Sequence, residues 1–236
     1  MKKPAGQGKL TSQNTLASSW AIWTMSCAFL VAYHWAAGIA SHAYESSLVL
    51  EPGRSIDIRV ASLFGHAIEA ELIFQRKGSD RRANVLGEWK TRASDGGALV
   101  FPDPGKQVAL TVSVNSEDVA RLEAMPASGF GTGVVMRRLS ENGPANRHLW
   151  SPPLHPIRMR ATPGSNDVVF TVADVDPELM GEKVTVLIQP PFGMMGAQKG
   201  YFILIALWPV YAIGGLALAI WTAFLIRSTW RTCRHS

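Results

Sequence analysis

The chain is poor in cysteine: of 236 residues, two are Cys, at positions 27 and 233. Neither falls between residues 41 and 200, so that stretch holds no disulfide and no thiol nucleophile. It also has no Asn-x-Ser/Thr glycan acceptor. G-x-S-x-G, S-x-x-K and H-E-x-x-H are missing there too, which removes the local signatures of several hydrolase classes. Such a domain must be stable through core packing alone. The expectation is a protein that is not an enzyme and takes no cofactor or metal.

Charge is missing from two long runs. From Tyr201 to Ile226 there are 26 residues without Lys, Arg, Asp or Glu. At about 1.5 Å per residue a helix of that length reaches roughly 39 Å, enough to cross a hydrocarbon core of about 30 Å with some tilt. The second run lies between Lys9 and Glu45, and residues 16–40 within it are mostly apolar. Its length exceeds the core of about 7–15 residues typical of a cleaved leader, so a retained span is expected. Cleavage after Ala43 is the alternative, because Ser41-His42-Ala43 has the small-x-small form.

What charge there is has a pattern. The chain has 23 basic and 18 acidic residues, and six of the basic ones stand beside the apolar runs: Lys2, Lys3, Lys9, Arg227, Arg231 and Arg234. Neither tail carries an acid, so the remaining chain is close to neutral. Positive flanks stay on the cytoplasmic side. The layout read from this is a basic cytoplasmic tail at 1–15, a transmembrane helix at 16–40, an extracytoplasmic domain at 41–200, a second helix at 201–226 and a second basic tail at 227–236. Both termini face the cytoplasm of a bacterial inner membrane, and the central domain faces the periplasm. The basic flanks are expected to meet anionic lipid headgroups rather than nucleic acid.

The central 160 residues read as β structure. In "SIDIRV" the residues Ile56, Ile58 and Val60 share one face, with Asp57 and Arg59 opposite. "AIEAELIF", "VALTVSVN", "PIRMRA" and "KVTVLI" alternate in the same way, as antiparallel strands with one buried face do. "EPGRS", "RKGSDRR", "PDPGK", "ENGPAN" and "TPGSND" supply turn chemistry between them. The fold class expected is a membrane-anchored all-β domain between two transmembrane helices. An antiparallel β-sandwich of eight to ten strands, immunoglobulin-like in general character, is the architecture expected of it. One short helix is expected at "SEDVARLEAM" (116–125), and the Pro-rich "HLWSPPLHP" (148–156) marks a seam.

Four local features carry residue types found at sites. "GFGTG" (129–133) lacks the spacing of a dinucleotide loop and reads as a turn. His148, His155 and Met159 are soft-metal ligand types, but the histidines stand seven apart in a Pro-rich stretch and nothing fixes their geometry. Met194 and Met195, with Phe192, read as apolar residues at the outer headgroup level. His34 is the one ionisable group of its kind in the first span, and a proton path would need a second.

The spans themselves carry the clearest pattern. Thr24, Ala28, Ala32, Ala36 and Ala40 recur at every fourth position, and Gly215, Ala219 and Ala223 do the same in the second helix. Small ridges allow close helix approach inside a membrane. They serve either to join the two helices of one chain or to dock another subunit. Together these features point to a non-catalytic accessory or scaffold subunit of a membrane complex, whose partners are other membrane-protein subunits. A periplasmic binding module for a small ligand, metal or glycan is the alternative.

Overall fold

The computed structural model describes residues 7–76, 83–88, 92–93, 99–101, 103–127, 129–131, 133–141, 149–150, 159–190 and 208–234. These belong to two compact units, one built from the two ends of the chain and one from Ile39–Gly200.

The first unit is a pair of helices, α1 (Gln7–Ala40) and, late in the chain, a helix over Trp208–Arg234. Thr15–Ala40 and Trp208–Arg234 are long and apolar enough to cross a bilayer, with mean hydropathies of 1.4 and 1.9. The second helix starts with Trp208 and Pro209 and runs past Ile226 through the basic tail. Proline fits a first helical turn, where its missing N–H has no carbonyl to meet. Arg231 and Arg234 fall in the last turn, where cations complement the helix dipole. Residues 201–207 of the expected span lie outside the described residues.

The second unit is antiparallel β throughout. Its strands are β1 (Tyr44–Val49), β2 (Ser55–Ser62), β3 (His66–Ala67), β4 (Ala70–Gln75), β5 (Arg92–Ala93), β6 (Leu99–Val100), β7 (Val108–Val114), β8 (Glu117–Ala124), β9 (Gly129–Gly131), β10 (Val134–Ser140), β11 (Leu149–Trp150), β12 (Arg160–Ala161), β13 (Gly164–Val175) and β14 (Lys183–Ile188). One turn of α-helix, α2 (Ala83–Leu86), and a 3-10 turn over Pro177–Leu179 lie among the described strands, and α3 is the helix Trp208–Arg234. Nine strands form one sheet in the order β1-β14-β4-β10-β8-β7-β13-β2, with β9 paired to β10. Its two edge strands, β1 and β2, are neighbours in sequence. They meet through the Tyr44 hydroxyl, which accepts the Ala61 N–H at 2.9 Å and faces the Ala61 carbonyl at 3.3 Å. The sheet is therefore nearly closed and barrel-like. A sandwich of two facing sheets with immunoglobulin-like character is not confirmed by this pairing.

The alternation read from the sequence is the alternation seen in the core. Ile58 and Val60 of β2, Ala70, Leu72 and Phe74 of β4, Val108, Leu110, Val112 and Val114 of β7, and Val184, Val186 and Ile188 of β14 are all buried. Phe74, Phe101 and Phe170 are fully enclosed, and each such side chain contributes about 1.5–3 kcal/mol relative to exposure.

Two expectations are corrected. Residues 116–125 are not a helix but mostly strand β8. The cause is the turn before it: Asn115 and Ser116 have φ of 53° and 62°, the two left-handed residues of a tight hairpin turn between paired Val114 and Glu117. Leu122 and Ala124 then alternate into the core as strand residues. "TPGSND" is likewise not wholly a turn, because β13 begins at Gly164 and pairs Asn166 with Val60.

A buried knot closes one end of the sheet. Gly87 and Gly105 lie back to back at φ of 75° and 72°; a β-carbon at Gly87 would lie 2.6 Å from the Gly105 nitrogen. Beside them Arg137 of β10 is 1% exposed. Its guanidinium donates to the carbonyls of Met125 (2.7 Å), Lys106 (2.8 Å) and Ala124 (2.8 Å). One cation thus binds the Pro-Gly loop to the end of β8.

Candidate helix-packing interface

The helix pair is joined by large and aromatic side chains rather than by the small ridges. Near one end the Trp20 indole N–H donates to Thr229 Oγ1 at 3.2 Å. Further along, Leu30 packs toward Gly214, where a β-carbon would stand 3.8 Å from Leu30 Cδ1. The Tyr211 ring contacts Tyr33 and His34, with centroids 6.5 and 5.6 Å away. Leu225 is buried in the pair. These residues follow a 3.6-residue period on each helix, so the contact is one continuous stripe.

The predicted ridges fall elsewhere. Thr24, Ala28 and Ala32 are exposed on α1, and Gly215, Ala219 and Ala223 are exposed on α3. A β-carbon at Gly215 would meet nothing within 4 Å. Ala36 is half-buried, and Ala40 is buried within the barrel unit. Thr24, Ala28 and Ala32 of α1 and Gly215, Ala219 and Ala223 of α3 thus lie away from the contact between these two helices. Each presents a strip of small side chains to its surroundings, where a further helix backbone is able to approach closely. An apolar groove of about 540 Å³ also runs along the pair, lined by Ile22, Met25, Phe29, Leu30, Gly214 and Leu218.

Arg227, Arg231 and Arg234 are all exposed, and the Arg234 guanidinium lies 5.6 Å from the Trp230 ring. The surroundings of Lys2, Lys3 and Lys9 lie outside the described residues.

On the barrel unit the remaining candidates are scattered. His66 Nδ1 lies 3.0 Å from Ser62 Oγ, and His42 packs edge-on to Tyr44. Met159, just before β12, is a buried core residue. His148, His155, Phe192, Met194 and Met195 lie outside the described residues, as does most of the 148–156 seam. Gly129–Gly131 of "GFGTG", read as a turn, is instead the short strand β9 paired with β10, and Gly133, just before β10, has a φ of 80°. The described residues bring no three of His, Cys, Asp and Glu together in a way that would hold a metal.

One carboxyl group is set apart electrostatically. Burial against the sheet pushes Glu71 of β4 above the usual carboxylate range. The Gln189 amide donating to it at 3.2 Å and nearby Arg138 oppose that rise. Arg138 itself pairs with Glu69 at 2.6 Å. Across the unit, Lys106 is raised by its contact with Glu178 at 2.6 Å, an exposed pair of small energetic weight. None of these groups was singled out from the sequence. Glu69 and Glu71 were legible only as the polar alternates of a strand.

No family model matches the chain, and no curated protein matches it. A crystal structure of a protein from Sulfurospirillum deleyianum is similar over 63% of this chain and 97% of its own, at 16% identity and a TM-score of 0.37.

Proposed function

We propose that this chain is a non-catalytic accessory or scaffold subunit of a bacterial inner-membrane complex. In this reading α1 and α3 both cross the membrane with their basic ends in the cytoplasm, and the barrel-like domain stands in the periplasm. The helices hold the subunit against a larger membrane protein, and the domain gives that assembly a rigid outer face.

The observation that carries the reading is the placement of the two ridges. The helix pair satisfies its own contact through Trp20, Leu30, Tyr33, Tyr211 and Leu225, and leaves Thr24-Ala28-Ala32 and Gly215-Ala219-Ala223 outward. Lipid tails gain little from small side chains, whereas a neighbouring helix gains close van der Waals contact.

The test is purification of the full-length protein in mild detergent, compared with a variant carrying Ala28→Leu and Ala32→Leu. These changes fill the ridge without touching the intrachain stripe. The expected result is a defined membrane complex at fixed stoichiometry with the parent protein, lost in the variant while the variant stays folded and membrane-bound. A protein that emerges alone and monodisperse in both forms overturns the proposal.

A further inference from the structure

We infer that the Leu63-Phe64 tip of the barrel unit dips into the lipid headgroup layer and fixes the tilt of the domain on the bilayer. This rests on the reading of α1 as a membrane span.

Among the described residues of the barrel unit, three large apolar side chains are conspicuously exposed: Leu63 at 39%, Phe64 at 37% and Met180 at 54%. Two of them are adjacent, in the short loop between β2 and β3. The topology says which end of the barrel this is. The end of β2 reaches Tyr44, the first residue of β1, through the Tyr44–Ala61 hydrogen bonds. Tyr44 in turn pairs with Ile188, the last residue of β14. Both chain ends of the barrel thus leave from the end that carries Leu63 and Phe64. Met180 lies at the opposite end, where Gly181 donates to Leu50 beyond the far end of β1.

Chain length then brings lipid within reach. Ala40 ends α1 and Tyr44 opens β1, so four Cα steps separate them. Fully extended, that is at most about 14 Å. The chain therefore tethers the end of the barrel bearing the tip to the end of the first span by no more than about 14 Å, about twice the depth of one headgroup layer.

The loop is also ordered for the task. Ser62 Oγ donates to the Phe64 carbonyl at 2.6 Å, and His66 Nδ1 lies 3.1 Å from the same oxygen. Holding the backbone in this way presents two apolar side chains without the entropy cost of ordering them on contact. An exposed arginine, Arg160, stands on the strand paired with β3, where a cation suits lipid phosphate. The partner is a bilayer surface, recognised through apolar insertion at its interface.

The natural lack of cysteine in the domain makes the experiment direct. In full-length protein with Cys27→Ser and Cys233→Ser, an environment-sensitive fluorophore is attached through Phe64→Cys, Met180→Cys or Ala32→Cys. Each protein is reconstituted into phosphatidylglycerol/phosphatidylethanolamine vesicles with the barrel outside. The expected result is blue-shifted emission at position 64, quenching by shallow nitroxide lipids, and iodide quenching several-fold weaker than at position 180. Leu63→Cys is read in the same way should the first variant fold poorly. Equal aqueous access at 64 and 180, with position 32 in lipid, overturns the inference and leaves the membrane-span reading standing. Aqueous access at position 32 overturns both.

Discussion

Asn115 and Asn166 hold two turns of the barrel to each other across 51 positions of sequence: the Asn115 side-chain amide donates to Asn166 Oδ1 at 3.2 Å. Asn166 is fully buried, and its Oδ1 also accepts from Thr162 N and Oγ1 at 2.9 and 3.0 Å. Its own amide returns to the Thr162 carbonyl at 2.8 Å. Asn115 closes the circuit by accepting the Asp167 N–H at 2.9 Å, while sitting at the positive φ that asparagine tolerates. Asn166→Ala is expected to destabilise the protein by about 1–3 kcal/mol, because buried groups lose their partners. Asn166→Asp is expected to cost more, since it exchanges two donors for a buried charge. Thermal unfolding of the full-length variants in detergent measures both.

The glycine pair predicts a difference between positions of like φ. Gly53 and Gly105 have φ of 82° and 72°. A β-carbon at Gly53 meets nothing within 4 Å, whereas one at Gly105 would lie 2.6 Å from the Leu86 carbonyl oxygen. Gly53→Ala is expected to cost about 1–2 kcal/mol from backbone strain alone. Gly105→Ala is expected to cost clearly more and to loosen the α2 segment. Equal shifts in unfolding midpoint would remove the close-packing argument.

Arg137 is expected to be irreplaceable even by lysine. An ammonium group cannot span three carbonyls belonging to Met125, Lys106 and Ala124 in the plane of a guanidinium. Arg137→Lys and Arg137→Met are each expected to destabilise by about 3 kcal/mol or more, the methionine by stranding the carbonyls and the lysine by burying a poorly paired charge. Hydrogen exchange localised to residues 103–107 and 124–127 is the accompanying readout.

Glu71 predicts a pH dependence. Its carboxyl binds a proton more tightly folded than unfolded, because burial disfavours the anion. The folded state therefore gains stability from it as pH falls through the raised value, and loses that gain as pH rises. Glu71→Gln keeps an acceptor for the Gln189 amide and removes the charge. The variant is expected to match or exceed the parent at neutral pH, with the advantage shrinking as pH falls toward the ordinary carboxylate range. Melting temperature against pH checks this, and an advantage that grows on acidification refutes it.

Much of the architecture was legible because its signals are local and periodic. "SIDIRV", "VALTVSVN" and "KVTVLI" alternate in sequence and therefore alternate in burial. The described parts of the two apolar runs are helices, and an unbroken apolar run of that length is likewise a local signal. What escaped was set by single residues whose role depends on a distant partner. Two positive-φ residues turned a helix-like "SEDVARLEAM" into a strand. Asn166 looked like a turn residue because its partners, Asn115 and Val60, are far away in sequence. Arg137 carried no signal in the sequence, since alternation alone cannot say that a guanidinium finds three carbonyls inside. In the helices the small ridges were legible as patterns, but which face meets the other helix depends on Trp20, Leu30 and Tyr211, whose pairing no single helix reveals.

The pairing of β1 with β14 has a consequence in time. A strand made at the start of the domain finds its neighbour only among residues 183–188, some 140 positions later. Until that segment has been made, β1 and β4 both lack the strand between them and the sheet stands open. Contacts of such long sequence separation form slowly, and unpaired strand edges are sites of misassociation meanwhile. Completion of the barrel is thereby tied to the last part of the domain to be synthesised, so a chain halted before residue 183 should be recovered as a substrate for proteases rather than as a smaller stable protein.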